Sequence, residues 1–77
     1  YMELGEKHAI IEVAVPDSWQ GHSIGELDIR RKYGVNILGV KRNDKTDVTI
    51  SPETVLDSSL TLLVLGEYTV LKKCFRL

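Results

Sequence analysis

Residues 23–42 read SIGELDIRRKYGVNILGVKR, and the order of residue types in this stretch decides the fold. Ser23 followed by Glu26 is a capping box: the serine hydroxyl accepts a first-turn amide and the glutamate reaches back to the serine's own amide, so a helix starts at Ile24. Gly34 stops it, because glycine accepts the left-handed backbone of a C-terminal cap. Between them Asp28 stands three and four residues before Arg31 and Lys32, a spacing worth about 0.2–0.5 kcal/mol per pair on an exposed helix. The apolar positions are less regular. At about 100° per residue Ile24 and Leu27 share one side, while Ile29 and Tyr33 fall on nearly the opposite one. A surface helix of a monomer needs a single apolar stripe, so the second could face a symmetry mate. After Gly34 the run VNILGVKR is a strand with Val35, Ile37 and Gly39 on one face and Asn36, Leu38 and Val40 on the other.

Outward from this unit the chain continues in short pieces. Residues 1–8 are polar without an apolar period and suit the tail end of a linker, leaving residues 9–77 as the domain. AIIEVAV, residues 9–15, is a strand with Ile11, Val13 and Val15 on one face; Pro16 ends it. Trp19, the only tryptophan, lies in the following loop, where it either covers an edge of the core or meets a partner chain. Downstream, residues 42–45 (RNDK) are turn chemistry, and DVTI returns as a strand with Val48 and Ile50 inward, giving a hairpin. Ser51 and Pro52 read as a cap and a first helical position, which predicts a short helical turn over residues 53–56. Residues 57–59 (DSS) are a loop. LTLLVLG is apolar on both faces apart from Thr61, as expected of a central strand. EYTVLKKCFRL closes the chain as a helix with Tyr68, Leu71 and Phe75 on one stripe and Val70, Cys74 and Leu77 on the next. The order strand, helix, strand, strand, strand, helix makes a small α+β domain of βαβββα type.

Composition excludes several functions. Seventy-seven residues hold one small core, and domains this short often draw stability from a partner, so dimerisation is expected. The net charge of −1 and the lack of a long run of one sign leave no electrostatic footprint for nucleic acid or an anionic membrane. Cys74 is the single cysteine; it forms no internal disulfide, fits a reducing cytosolic setting, and reads as a small core residue. No apolar run approaches the roughly 18 residues of a membrane span, and no signal peptide is evident. Tyr1 is not a natural start residue, so the chain is expected to be a fragment of something longer. His8, His22 and Cys74 are too scattered for a metal site. No Ser, Cys or Lys has a base and an orienter beside it, and His22, just before the capped helix, suits a helix-end or solvated role. Neither GxGxxG nor GxxxxGK[ST] is present. These negatives argue against an enzyme. The polar pair that remains is Arg30, between the helix's two apolar sides, and Asn36, at the start of an otherwise apolar strand. A guanidinium fork suits phosphate and a carboxamide suits a base edge; equally, Arg30 could be a solvated helix residue and Asn36 a turn-satisfying cap.

The combination of residues 21–42, GxSIxELDIRxxYGVNILGVxR, with Pro52 after a short strand and LxVxG closing at Gly66, resembles the C-terminal lobe of RCK domains, the TrkA C-terminal family. The likeness runs from about Ala9 to the last helix, and the LDIRxxYGVNI segment is most similar to the KtrA/KtrC type, cytosolic gating subunits of bacterial potassium uptake systems. The resemblance implies a homodimeric lobe with a mainly antiparallel sheet and two helices. It further implies a preceding Rossmann lobe that binds ATP/ADP or NAD, and rings of subunits that gate a membrane channel from the inner face of the cell membrane. In such lobes the dimer cleft is similar to a receptor for cyclic di-AMP. Carried over by position, Ile24, Ile29 and Val35 would contact the adenines, Arg30 the phosphates, and Asn36 and Pro52 the base edges. Thr54 completes the implied set, at a position where cyclic di-AMP binders often have histidine, and Ser58 and Ser59 replace the usual Gly-Asp. Two other readings stand beside this one: a dimerisation module of a potassium channel or cation/proton antiporter subunit that binds no cyclic di-AMP, and an amino-acid-sensing accessory domain like ACT domains. The latter end in a strand rather than a helix.

Overall fold

The computed structural model describes residues 2–77. Five strands, β1 (Met2–Leu4), β2 (His8–Ala14), β3 (Asn36–Arg42), β4 (Lys45–Asp47) and β5 (Thr61–Glu67), form one sheet in the order β1-β2-β5-β3-β4, every pair antiparallel. Three helices, α1 (Ile24–Leu27), α2 (Ile29–Tyr33) and α3 (Tyr68–Phe75), supply the other layer. The apolar run of β5 is central, as its composition predicts. Its paired neighbours place Ala9, Ile11, Leu62 and Val64 on one face, and with Ile29 of α2 and Leu71 of α3 they form a single core. Full burial of each large side chain stabilises by roughly 1.5–3 kcal/mol, so a core of eleven such residues and Ala9 leaves little to spare.

Several elements depart from the sequence expectation. The start of the polar segment expected to be a linker forms β1, which pairs Met2 with Ile10 and Leu4 with His8 through a turn containing Gly5 at φ 74°. The hairpin between β3 and β4 is present, with Asn43 and Asp44 both left-handed. Its return strand ends at Asp47, however; Val48 is 65% exposed and only Ile50 packs against the core. Residues 51–54 close a hydrogen-bonded turn, Thr54 N–H to the Ser51 carbonyl at 3.0 Å, and the chain then extends through Val55 instead of continuing as a helix. In α3 the inward stripe is Val70, Leu71, Cys74 and Phe75; Tyr68 and Leu77 lie outside, Tyr68 under the Lys72 ammonium at 5.5 Å. Burial pushes the Cys74 thiol pKa up, in keeping with an inert core cysteine.

The departure with the largest consequence is in β3. Ile37 pairs with Val64 and Gly39 with Leu63, so Leu38 is an extra residue in a bulge. A bulge reverses the facing of everything beyond it. Val40, on the outer face by simple alternation, is turned into the core at 7% exposure together with Val35. Trp19 ends a 3-10 turn (Asp17–Trp19) and is 2% exposed, with ring centroids 5.2 Å from Tyr33 and 5.5 Å from Phe75. It covers the core edge, and thereby ties the loop to α2 and α3.

Candidate functional site

The site grows from the capped helix. Ser23 Oγ accepts the Glu26 amide at 3.1 Å, and the Ser23 amide donates to Glu26 Oε1 at 3.2 Å, so the capping box is complete. The helix does not run through to Gly34. Asp28 takes the left-handed conformation, φ 51° and ψ 47°, and divides it into α1 and α2. Aspartate tolerates this conformation better than most residues, and here its carboxylate also meets Arg31 Nε at 2.6 Å. The division explains the two apolar sides: Ile24 and Leu27 pack against the core from α1, while the changed direction brings Ile29 into the same core at 3% exposure. Of the second stripe, Ile29 therefore serves this chain's own core, while Tyr33 is 39% exposed and packs on Trp19 at its edge. α2 ends at Gly34, φ 74°, whose amide donates to the Arg30 carbonyl. One residue later Val35 is fully buried and Asn36 opens β3.

This helix, glycine and strand unit encloses a shallow hollow of about 270 Å³ lined by Ile24, Gly25, Asp28, Ile29, Arg30, Val35, Asn36 and Ile37. Five of the seven residues expected at a ligand site thus converge. The other two, Pro52 and Thr54, do not line the hollow and stand on the adjoining turn. The Gly25 amide donates to the Pro52 carbonyl at 2.8 Å and the Ile24 amide to the Thr54 carbonyl at 2.9 Å. Gly25, Asp28 and Ile37 were not picked out from the sequence. A glycine inside a well-capped helix was a readable signal, because only a close approach requires it there: a Cβ on Gly25 would lie 2.9 Å from Pro52 Cβ.

Polar groups around the hollow divide into those already engaged and those left open. The first amides of α1 are all taken, by Thr54, Pro52 and Ser23, so this helix start offers no donors to an anion. Asp28 is balanced by Arg31. Arg30 is exposed and Asn36 half-buried, and neither side chain has a hydrogen-bond partner among the described residues. Ile29 and Val35 border the hollow from within the core, at 3% and 0% exposure, so its open surface consists of half-buried Ile24 and Ile37, one open guanidinium and one open carboxamide. A larger groove of about 770 Å³ runs between residues 12–19 and the end of α3, with Trp19, Tyr33 and Phe75 in its lining, and shares none of the seven expected residues.

His22 Nδ1 lies 2.9 Å from Glu26 Oε2. That bond, followed by the one from the Ser23 amide, holds the Glu26 carboxyl below its ordinary pKa; Asp47, bonded by Thr49, and Asp57, bonded by Ser59, are lowered in the same way. Groups depressed by folding contribute stability that is present above their unfolded pKa of about 4 and is lost as the pH falls through the lower folded value. The melting temperature should accordingly drop as the pH is taken from about 5 towards 3. Thermal unfolding followed across that range should show a shallower drop for Glu26→Gln than for the parent chain.

The antiparallel sheet carrying its helices on one face, and the capped helix running through a glycine into a bulged strand, define a small α+β domain of the RCK C type. Residues 8–76 match the TrkA-C domain, and the chain belongs to that family, a regulatory rather than catalytic one. The chain is 35% identical over 69 residues to the Ktr system potassium uptake protein C of Bacillus subtilis (strain 168), covering 90% of this chain and 31% of that protein. With the Ktr system potassium uptake protein A of the same organism the identity is 26% over 73 residues, 95% and 33% of the two chains. The chain spans about a third of the length of these relatives. Among solved structures, the RCK C domain of the potassium transport protein KtrA in complex with cyclic di-AMP superposes with a TM-score of 0.79 at 30% identity, covering 90% of this chain and 81% of that one. The RCK_C domain dimer of Streptococcus agalactiae BusR, also in complex with cyclic di-AMP, shares the fold at a TM-score of 0.69 and 24% identity, over 92% and 97% of the two chains. Among the described residues no helix is long and apolar enough to cross a membrane.

Proposed function

We propose that this domain is the cyclic di-AMP sensor of a potassium-uptake gating subunit, working as a homodimer with the ligand in the cleft between two hollows. The observation that carries the reading is the convergence of Ile24, Ile29, Arg30, Val35 and Asn36 on one hollow, with the Arg30 and Asn36 side chains making no hydrogen bond among the described residues. Each feature suits one part of the ligand. Apolar walls suit adenine faces, the carboxamide of Asn36 a base edge, and the fork of Arg30 a phosphate. A single hollow falls short of the roughly 300–1,000 Å³ typical of small-molecule pockets, and two facing each other reach that range. A two-fold ligand suits such an arrangement, since each chain then contributes the same set once. The likeness to a KtrA domain that binds this ligand supports the assignment.

In the whole protein we place the domain on the cytoplasmic side of the membrane, next to a Rossmann lobe and, through the assembled subunit, to a potassium channel. The ligand does work on the gate only through a higher affinity for one arrangement of the two lobes. Calorimetric titration of the purified chain with cyclic di-AMP should give saturable heat at one ligand per two chains. A chain that sediments as a dimer but gives no heat would instead support a dimerisation module without this ligand.

A further inference from the structure

Residues 21–25 and 52–56 run antiparallel and are joined along their length. Gly21 N–H donates to the Leu56 carbonyl at 2.8 Å, Leu56 N–H to His22 at 2.9 Å, Ile24 N–H to Thr54 at 2.9 Å and Gly25 N–H to Pro52 at 2.8 Å, and Ser23 bridges to Val55. The turn at the end of this ladder is closed by its own side chains. Ser51 Oγ accepts the Glu53 amide at 3.3 Å, and Thr54 Oγ1 accepts the Ser51 amide at 3.0 Å, so two side-chain hydroxyls tie the turn from both ends. Pro52 lies between these two residues and rests directly on Gly25, where no side chain beyond hydrogen fits.

From this geometry we infer that Thr54 is a positioning residue: its hydroxyl oxygen closes the turn that sets Pro52 against Gly25, and so fixes Ile24 and Gly25 in the lining of the hollow, with Pro52 on the turn beside it, in advance of the ligand. The inference rests on the cyclic di-AMP reading for what this edge of the hollow contacts, but not for the existence of the lock. Thr54 acts on the ligand through Pro52. Without the hydroxyl, the Ser51 amide loses its acceptor, the turn opens more often, and every binding event must first reorder it.

Thr54→Val keeps the shape and removes the hydroxyl; Thr54→Ser keeps the hydroxyl. Loss of one such hydrogen bond and of the preorganisation it gives should weaken cyclic di-AMP binding about tenfold in Thr54→Val, with Thr54→Ser restoring it to within about twofold of the parent chain. In the absence of ligand, amide hydrogen exchange at Ser51, Ile24 and Gly25 should be faster in Thr54→Val and close to the parent rate in Thr54→Ser. Weaker binding with unchanged exchange would make Thr54 a direct ligand contact and overturn the inference, as would unchanged exchange and affinity together. A parent chain that binds no cyclic di-AMP removes the ligand reading alone, because the exchange pattern of the free chain still decides whether the lock exists.

Discussion

Arg30→Ala is expected to weaken cyclic di-AMP binding by at least about 100-fold while leaving the fold and the proposed dimer intact. In the proposed two-fold cleft the substitution removes a cation twice, once from each chain, and each guanidinium would otherwise face a phosphate. Truncating one member of a charged, hydrogen-bonded pair at an interface costs about 2–5 kcal/mol. The α1 amides cannot compensate, since Thr54, Pro52 and Ser23 already occupy them. Stability should change by less than about 0.5 kcal/mol, because Arg30 is exposed and makes no hydrogen bond among the described residues. Arg30→Lys should fall between the two, keeping the charge but losing the planar fork. Calorimetry checks the affinities and sedimentation the dimer. An Arg30→Ala affinity within about threefold of the parent chain would remove Arg30 from the site.

Trp19→Ala is expected to cost about 3–5 kcal/mol of stability, a large share of the 5–15 kcal/mol by which domains are folded. Trp19 is 2% exposed and meets Tyr33 of α2 and Phe75 of α3 at 5.2 and 5.5 Å between ring centroids, the second edge-on at 73°. Removing the indole therefore deletes its own buried area and the aromatic contacts that join three segments. For a domain of this size the melting temperature should fall by more than about 12 °C. Far-ultraviolet circular dichroism can follow the transition without the tryptophan signal, and Trp19→Phe should recover part of the loss. A shift of less than about 4 °C would show that Trp19 covers no essential part of the core.

The polar pair of the candidate site was more legible in the sequence than the turn beside it. Arg30 and Asn36 stood out because they interrupt apolar surroundings, and the hollow brings them together. Pro52 and Thr54 lie more than twenty residues downstream of Gly25, and no periodicity reports which backbone carbonyls will meet the first amides of a helix. Cap chemistry at Ser51 and Pro52 was visible and correctly placed a turn. It overstated the turn as a helix, because Val55 and Leu56 find partners in residues 21–23 that local preference does not describe.

The sequence by itself determined what depends on neighbours a few residues apart: the capping box at Ser23 and Glu26, the glycine stop at Gly34, the strand character of residues 9–14 and 61–66, and the turn at Asn43 and Asp44. Each follows from a local hydrogen bond, a permitted backbone angle or an alternation of side chains. Tertiary structure alone decided the break at Asp28, the bulge at Leu38 and the pairing of Met2–Leu4 with β2. The break lets Ile24, Leu27 and Ile29 reach one core, and the bulge turns Val40 inward beside Leu62. Their cause is the gain from burying apolar surface against elements distant in the chain, which outweighs the roughly 1–2 kcal/mol of a left-handed residue and the loss of one ladder position.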